Sequence, residues 1–250
     1  PAGSTTACSS AANFTTATDT PQSYIYSLTI DTTNGVLYAG TNPGGLIYRC
    51  VLSTACDSVG DFTTATNTPA TTIFSLTVDP VNQVLYAGGD GTGIIYRCLL
   101  STGCDSATDF VTAYDSPETI IYSLTVDTAK GILYAGTGSG GIIYRCVLST
   151  QCDAAGDFTT AYDTPATSLY ELVIDGVGNI FAGSGAGGII YRVSAESTLT
   201  ARGTCWGTSP APTTNCSAAS TTSMGVFTQP RTGLTPGTTY YARAYATNAY

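Results

Sequence analysis

The chain has 250 residues, of which 43% are hydrophobic and only 10% charged, and it carries a net charge of −9. This apolar content is enough for a packed core, which argues against a disordered chain. Eight basic residues against seventeen acidic ones cannot neutralise a phosphate backbone, so no nucleic-acid partner is expected, and no apolar run approaches the roughly 18 residues that span a membrane.

The N-terminal segment TTACSSAANFTTATDTP at residues 5–21 returns as LSTACDSVGDFTTATNTP at residues 52–69. Both belong to a repeat with a period of 48 residues. Two further series have the same spacing: Cys8, Cys56, Cys104 and Cys152, and Asp31, Asp79, Asp127 and Asp175. A fixed period of this length is typical of a propeller or a solenoid.

Each repeat contains four short strand-like segments. In the third unit they are YSLTVD (residues 122–127), ILYAG (132–136), GIIYRCVL (141–148) and DFTTAYDT (157–164). Apolar and polar residues alternate in the first of them, which indicates a half-buried strand. Polar turns such as Asn34–Gly35 favour hairpins. Four antiparallel strands in about 40 to 50 residues correspond to one propeller blade, and the hairpins favour this interpretation over a β-solenoid.

Two cysteines flank the turn between the third and fourth strands of each complete unit. We expect bridges there and one more in the C-terminal segment: Cys50–Cys56, Cys98–Cys104, Cys146–Cys152 and Cys205–Cys216. Zinc binding is the alternative, but zinc sites use closer cysteine pairs or histidines, and the chain has no histidine. Disulfides form in oxidising compartments, so we expect a mature extracellular protein, secreted or at the cell surface.

The last unit, residues 168–193, supplies three strands, and segment 5–21 supplies a fourth. This arrangement resembles the "Velcro" closure of β-propellers. The predicted fold of residues 1–193 is therefore an all-β, four-bladed β-propeller closed by its N-terminal strand. Val193 stands where the other units have cysteine, which leaves Cys8 without its expected partner. We expect Cys8 to be a free thiol or to form an intermolecular bridge.

The period ends after residue 193, and residues 194–250 form a second predicted domain. Its segments RGTCWGTSPAPT and TGLTPGTTYYARAYATN resemble fibronectin type III-like modules of secreted bacterial surface proteins, which implies an origin related to Bacteroidetes. The segment is shorter than the 80 to 100 or so residues of a complete sandwich. This truncated module is expected either to pack as a small sheet sealed by Cys205–Cys216 or to be completed by a strand from another subunit, which would build a filament.

The chemistry of the side chains argues against an enzyme. Without histidine, the chain lacks the usual proton shuttle and the Ser-His-Asp constellation, and no catalytic residue, metal or cofactor is predicted. Paired carboxylates of a glycosidase are a distant alternative, since the recurring aspartates suit turn hydrogen bonds. One tyrosine per unit is predicted to pack between blades or, alternatively, to stack on sugars: Tyr48, Tyr96, Tyr144 and Tyr191.

Four short motifs, DTT, DSV, DSA and DTA, resemble the O-glycosylation signal of Bacteroidetes. Their candidate acceptors lie in predicted turns at Thr32, Ser58, Ser106 and Thr128, although three-residue motifs also arise by chance in so threonine-rich a chain. Together these features predict an extracellular structural or adhesive protein, with the subunit of a self-associating filament as its most concrete form. A soluble carbohydrate-binding propeller lectin is the alternative function, with glycans as partners.

Overall fold

The computed structural model describes residues 16–91, 93–193, 199–219 and 228–248. The chain divides into two compact units, Pro1–Ser194 and Ala195–Tyr250. Four antiparallel sheets make up the described part of the first unit. Their strands are β1 (Tyr24–Asp31), β2 (Val36–Asn42), β3 (Leu46–Val51) and β4 (Phe62–Asn67); β5 (Ile73–Asp79), β6 (Val84–Gly89), β7 (Ile94–Leu99) and β8 (Phe110–Asp115); β9 (Ile121–Asp127), β10 (Ile132–Thr137), β11 (Ile142–Val147) and β12 (Phe158–Asp163); and β13 (Leu169–Ile174), β14 (Ile180–Ser184) and β15 (Ile190–Val193).

Within each sheet, strands that follow one another in the sequence lie side by side. The first hairpin turn shows why the chain reverses there. Both backbone N–H groups of Thr33 and Asn34 donate to Oδ1 of Asp31, at 2.9 and 3.1 Å, and Gly35 takes a φ of 66° that favours glycine. The recurring aspartate after the first strand therefore closes a turn. The repeated four-stranded sheet predicted from the sequence is confirmed.

Disulfide bonds link the third strand to the turn that precedes the fourth in each four-stranded sheet. The bridges are Cys50–Cys56, Cys98–Cys104 and Cys146–Cys152, each with a Cα–Cα distance of 5.9 Å, and the second unit contains Cys205–Cys216. These four pairs match the pairing expected from cysteine spacing. Cys8 lies outside the described residues.

The packed cores lie between consecutive sheets. At the joint between the second and third sheets, Gly88 of β6 faces Ile121 of β9, and a Cβ atom on Gly88 would come within 2.6 Å of Cγ2 of Ile121. The backbone N–H of Leu124 donates to Oγ of Ser75 across the same joint, at 2.8 Å. Glycine is thus required here because the neighbouring sheet occupies the space of its side chain.

The other two joints repeat this contact. Cβ atoms on Gly40 and Gly136 would meet Ile73 and the pair Leu169 and Leu172, respectively. Matching hydrogen bonds run from the N–H of Leu76 to Ser27 Oγ at 2.8 Å and from the N–H of Leu172 to Ser123 Oγ at 2.9 Å. The same contact between consecutive sheets, here called the joint, therefore recurs three times with the 48-residue period.

The fourth sheet has three strands among the described residues. Residues 5–15 of the predicted closing strand lie outside the described part, and residues 16–20 carry no strand assignment. No described atom lies within 4 Å of a Cβ built on Gly183, the fourth member of the glycine series, and Ile25, the residue expected there on closure, is 44% exposed. The described residues thus do not close the four sheets into a ring.

The second unit contains an antiparallel sheet in the order β17 (Cys216–Ala218), β16 (Leu199–Gly207) and β18 (Tyr241–Asn248). Arg231 links β16 to β17, because its side chain donates to the carbonyl of Thr204 at 2.9 Å and to Oγ of Ser217 at 2.8 Å. Its guanidinium also lies 5.8 Å from the ring centre of Trp206. Of the predicted fibronectin-like sandwich, the described residues show one small sheet.

Removal of one bridge tests the role of the disulfides. The variant Cys98→Ala/Cys104→Ala is expected to lose about 2 kcal/mol of unfolding free energy, because the bridge closes a short loop in the unfolded chain. Urea denaturation of the variant and the wild type measures the difference. Equal midpoints and slopes would contradict a stabilising role.

The glycine contact is tested by two matched substitutions. Gly88→Ala should cost about 1 to 3 kcal/mol because its methyl group overlaps Ile121, whereas Gly156→Ala, with open space around it, should change stability by no more than about 0.5 kcal/mol. Thermal and chemical unfolding of both variants measure the effect. Equal losses at the two positions would contradict the packing argument.

Candidate functional site

An aromatic side chain stands at the same place in the first strand of every sheet of the first unit. These four rings, here called the aromatic row, belong to Tyr26, Phe74, Tyr122 and Tyr170. Successive ring centres are 4.9, 4.8 and 4.5 Å apart and successive planes meet at 61°, 71° and 64°. The rings therefore contact one another edge to face, an arrangement that aromatic quadrupoles favour.

The aromatic row lines an open cavity of about 420 Å³, together with Glu171. Tyr26 and Tyr170 at its two ends are 49% and 51% exposed, whereas Phe74 and Tyr122 are half-buried. Exposed aromatic rings are unusual enough on a soluble protein to mark a contact surface when they are grouped.

Polar groups accompany the rings. Oε1 of Glu171 accepts a hydrogen bond from the hydroxyl of Ser123 at 3.5 Å. Burial raises the pKa of the Tyr122 hydroxyl above its ordinary value, and the neighbouring Tyr170 raises this pKa further. Both effects keep Tyr122 neutral and able to donate a hydrogen bond near neutral pH. The cavity therefore offers ring faces, a phenol donor and a carboxylate, which suit a sugar or an organic cation.

The tyrosines singled out in the sequence occupy a different place. Tyr48, Tyr96 and Tyr144 are 9%, 4% and 6% exposed, and Tyr191 is half-buried. Burial, followed by the nearby Tyr114, raises the pKa of Tyr144 to about 12. The rings of Tyr96 and Tyr144 belong to cores between sheets, and Tyr191 packs against a third core. The hydroxyl of Tyr48 donates to Oε1 of Gln22 at 2.5 Å. The aromatic row follows the same period and was not predicted as a site; its signal in the sequence is the aromatic residue of the strand segments YSL, FSL and YEL.

The recurring acids make local hydrogen bonds. Asp79 accepts from the N–H groups of Val81 and Asn82, at 2.9 and 3.2 Å. Asp61 accepts from the N–H of Ser58 at 3.1 Å and from its hydroxyl at 2.8 Å. The Ser58 hydroxyl is the main reason that the pKa of Asp61 is lowered. Among the described residues, no group of three His, Cys, Asp or Glu side chains is placed to hold a metal ion.

One of the recurring arginines joins two sheets. Nη1 of Arg97 lies 3.6 Å from Oδ2 of Asp153, which follows the third disulfide. Asp153 stands directly after Cys152, in the turn that leads to β12, and is not one of the turn aspartates of the Asp31 series. The ion pair crosses the joint between the second and third sheets and so adds a charged contact to an apolar one.

The candidate glycosylation sites lie near the ends of hairpins or bridged turns. Thr32, Ser58 and Thr128 are exposed, while Ser106 is half-buried. The hydroxyl groups of Ser106 and Thr108 are 2.7 Å apart and hydrogen-bonded. Three of the four hydroxyls are therefore open to a modifying enzyme.

No protein-family model matches the sequence, and no curated protein matches it either. Solved structures do resemble it. A chain of a nidogen/laminin complex aligns with a TM-score of 0.55 at 13% identity, over 68% of this chain and 60% of the other. Two structures of the extracellular domain of BT4673 from B. thetaiotaomicron give TM-scores of 0.53 and 0.51 at 20% identity, over 72% and 70% of this chain.

The fold is propeller-like. At these identities the resemblance concerns the fold alone, and the chain spans 60% of the nidogen/laminin chain and about a fifth of the BT4673 chains, 22% and 21%. Four disulfides indicate an oxidising compartment, and an extracellular location agrees with them. Within the described ranges, no helix is long and apolar enough to cross a bilayer.

Proposed function

We propose that this chain is an extracellular structural or adhesive protein that assembles with copies of itself into a filament. The observation that supports this function is the apolar surface of β1. Five of its side chains are between 44% and 62% exposed: Tyr24, Ile25, Tyr26, Leu28 and Ile30. A grouped apolar surface of this kind is typical of an interaction site on a soluble protein.

The finer architecture belongs to the same proposal. The first unit is built of four propeller blades, and segment 5–21, from the same chain or from a neighbouring copy, supplies the fourth strand of the last blade. The second unit is a truncated fibronectin type III-like module of the Bacteroidetes type, and the exposed turn hydroxyls carry O-linked sugars. These assignments rest on the 48-residue period and on the resemblance of the C-terminal motifs.

Strand complementation between subunits is the proposed means of assembly. Among the described residues, the outer strands of all five sheets have an edge without a partner strand, and two of these edges are proposed for assembly: β15, in a sheet of three strands instead of four, and β18 in the second unit. An unpaired edge offers a row of backbone donors and acceptors to a strand from another chain. Such a contact is head to tail, and it extends into a fibre where the rotation between successive copies does not close a ring.

Assembly is tested by electron microscopy and sedimentation of the purified, oxidised protein over a range of concentrations. We expect filaments and a mass that rises with concentration. Because the contact is apolar and backbone-mediated, assembly should persist in 1 M NaCl, where charge interactions are screened beyond about 3 Å. A constant monomer mass without fibres would contradict the function.

Carbohydrate binding is a second candidate function, supported by the aromatic row. Sugars bind to exposed aromatic faces, whose apolar surface they cover, and a carboxylate such as that of Glu171 can accept hydrogen bonds from their hydroxyl groups. The cavity of about 420 Å³ is in the size range of small-ligand sites.

This candidate function predicts saturable binding on a glycan array. Tyr122→Ala and Tyr170→Ala should each weaken binding about tenfold, or about 1.4 kcal/mol, in titration calorimetry of the best glycan. Tyr241→Ala, at a 41% exposed ring of the second unit, is the matched control and should bind normally. Absence of binding on the array, or equal losses in all three variants, would count against the lectin function.

A further inference from the structure

The first and fourth sheets carry the two unfilled halves of the joint that connects the sheets. In the three internal joints, the glycine of one sheet faces a branched residue of the next, as Gly88 faces Ile121. At the ends of the series, Gly183 faces open space and Ile25 is 44% exposed. The chain therefore carries both the residue that fits the joint, Ile25, and the open space at Gly183, but the two are not in contact.

Exposure of the equivalent apolar residues shows the same pattern on both sides. Toward the following sheet, Ile47, Ile95 and Ile143 are each 0% exposed, whereas Ile190 is 74% exposed. Toward the preceding sheet, Leu76, Leu124 and Leu172 are 6%, 6% and 2% exposed, whereas Leu28 is 62% exposed. Repeat arrays ordinarily end in units with a polar outer face. Among the described residues, the outer faces of the first and fourth sheets are apolar instead.

The charges at the two end faces are complementary. The internal ion pair joins Arg97 of the second sheet to Asp153 of the third. Two residues stand at the equivalent positions of a joint from the fourth sheet to the first, Arg192 and Asp57, and both are exposed. A contact with the geometry of the internal joint therefore brings opposite charges together.

Thr20, in the described part of the segment before the first sheet, does not bond to the fourth sheet of its own chain. In each complete joint a hydroxyl donates to a glycine carbonyl of the preceding sheet: Thr68 to Gly45, Ser116 to Gly93 and Thr164 to Gly141, at 3.0, 2.8 and 2.8 Å. The period assigns the next such bond to Thr20 and Gly188. Instead, the hydroxyl of Thr20 donates to the carbonyl of Gln22 at 3.5 Å, and no described atom lies within 4 Å of a Cβ built on Gly188.

We propose that a second copy of this chain fills the joint. The first sheet of one copy docks on the fourth sheet of the next, Ile25 enters the space at Gly183, and Leu28 and Ile190 become buried. This assignment rests on the proposed self-assembly and names its contact. The interface is heterologous, so each added copy presents a new end, and the array continues as a filament where the rotation between copies does not close a ring.

The test uses two variants of the full oxidised chain, each with one damaged face. Leu28→Asp damages the face of the first sheet, and Ile190→Asp damages the face of the fourth, because each would bury an unpaired charge in the joint. Both sites are exposed in the single chain, so circular dichroism should show native folding. Val81→Asp, at a 71% exposed turn residue on neither face, is the matched control.

Each damaged variant alone should remain monomeric at concentrations about tenfold above those at which the wild type and Val81→Asp assemble. A mixture of Leu28→Asp and Ile190→Asp should form a dimer of one copy of each, because one intact face remains on each partner. Light scattering after size-exclusion chromatography measures these masses.

Two results would overturn the joint, and they differ in what they imply for the proposed function. If both variants assemble like the wild type, the filament stands but its contact lies elsewhere, with the edge of β18 as the next candidate. If the wild type is monomeric and the mixture gives no dimer, the sheets close within one chain or stay uncovered, and the self-assembly is wrong as well.

Discussion

The contact on which the first unit depends is a branched side chain in the space that a glycine leaves on the neighbouring sheet. At Gly88 this space is filled by Ile121 so closely that a Cβ would lie 2.6 Å from it. Interiors this dense tolerate little added volume, so the contact fixes both the spacing and the relative orientation of consecutive sheets. Since the joint is apolar, with a serine hydroxyl as its recurring polar bond, the array needs few charges, which is consistent with a chain in which only 10% of residues are charged.

The same contact determines where the aromatic row lies. Along β9, Ile121 packs into the joint, whereas the adjacent Tyr122 is the extra residue of a β-bulge and has no partner in β10. Each joint thus brings the first strands of two sheets close enough for their aromatic residues to touch, with ring centres 4.8 Å apart for Phe74 and Tyr122. The candidate ligand site is therefore a consequence of how the sheets pack, and a change in the joint would alter the spacing of its rings.

Sequence reasoning could predict the elements and the bridges because both leave local signals. Alternation, turn residues and the 48-residue step place the strands within a residue or two, and cysteines six positions apart across one turn are close enough to bond. It could not decide which of two periodic tyrosine series is exposed. Tyr122 and Tyr144 both recur in every repeat, and the difference between them arises only when a neighbouring sheet covers one side. Likewise, the period suggested closure within the chain, whereas the exposure of Leu28 and Ile190 reports which joint is unfilled.

The fourth sheet departs from the repeat at the places where it would receive a separate strand. In the first three sheets a disulfide ties the end of the third strand to the turn before the fourth, as Cys146 is tied to Cys152. β15 ends instead in Val193, so a strand that arrives beside it meets no covalent partner at this position. At the same time the sheet keeps the apolar Ile190 and the open Gly183. The fourth sheet thus retains its packing residues but lacks the disulfide. Such a face is suited to a non-covalent contact that forms after the chain has folded. Stepwise addition of subunits requires a contact of this kind.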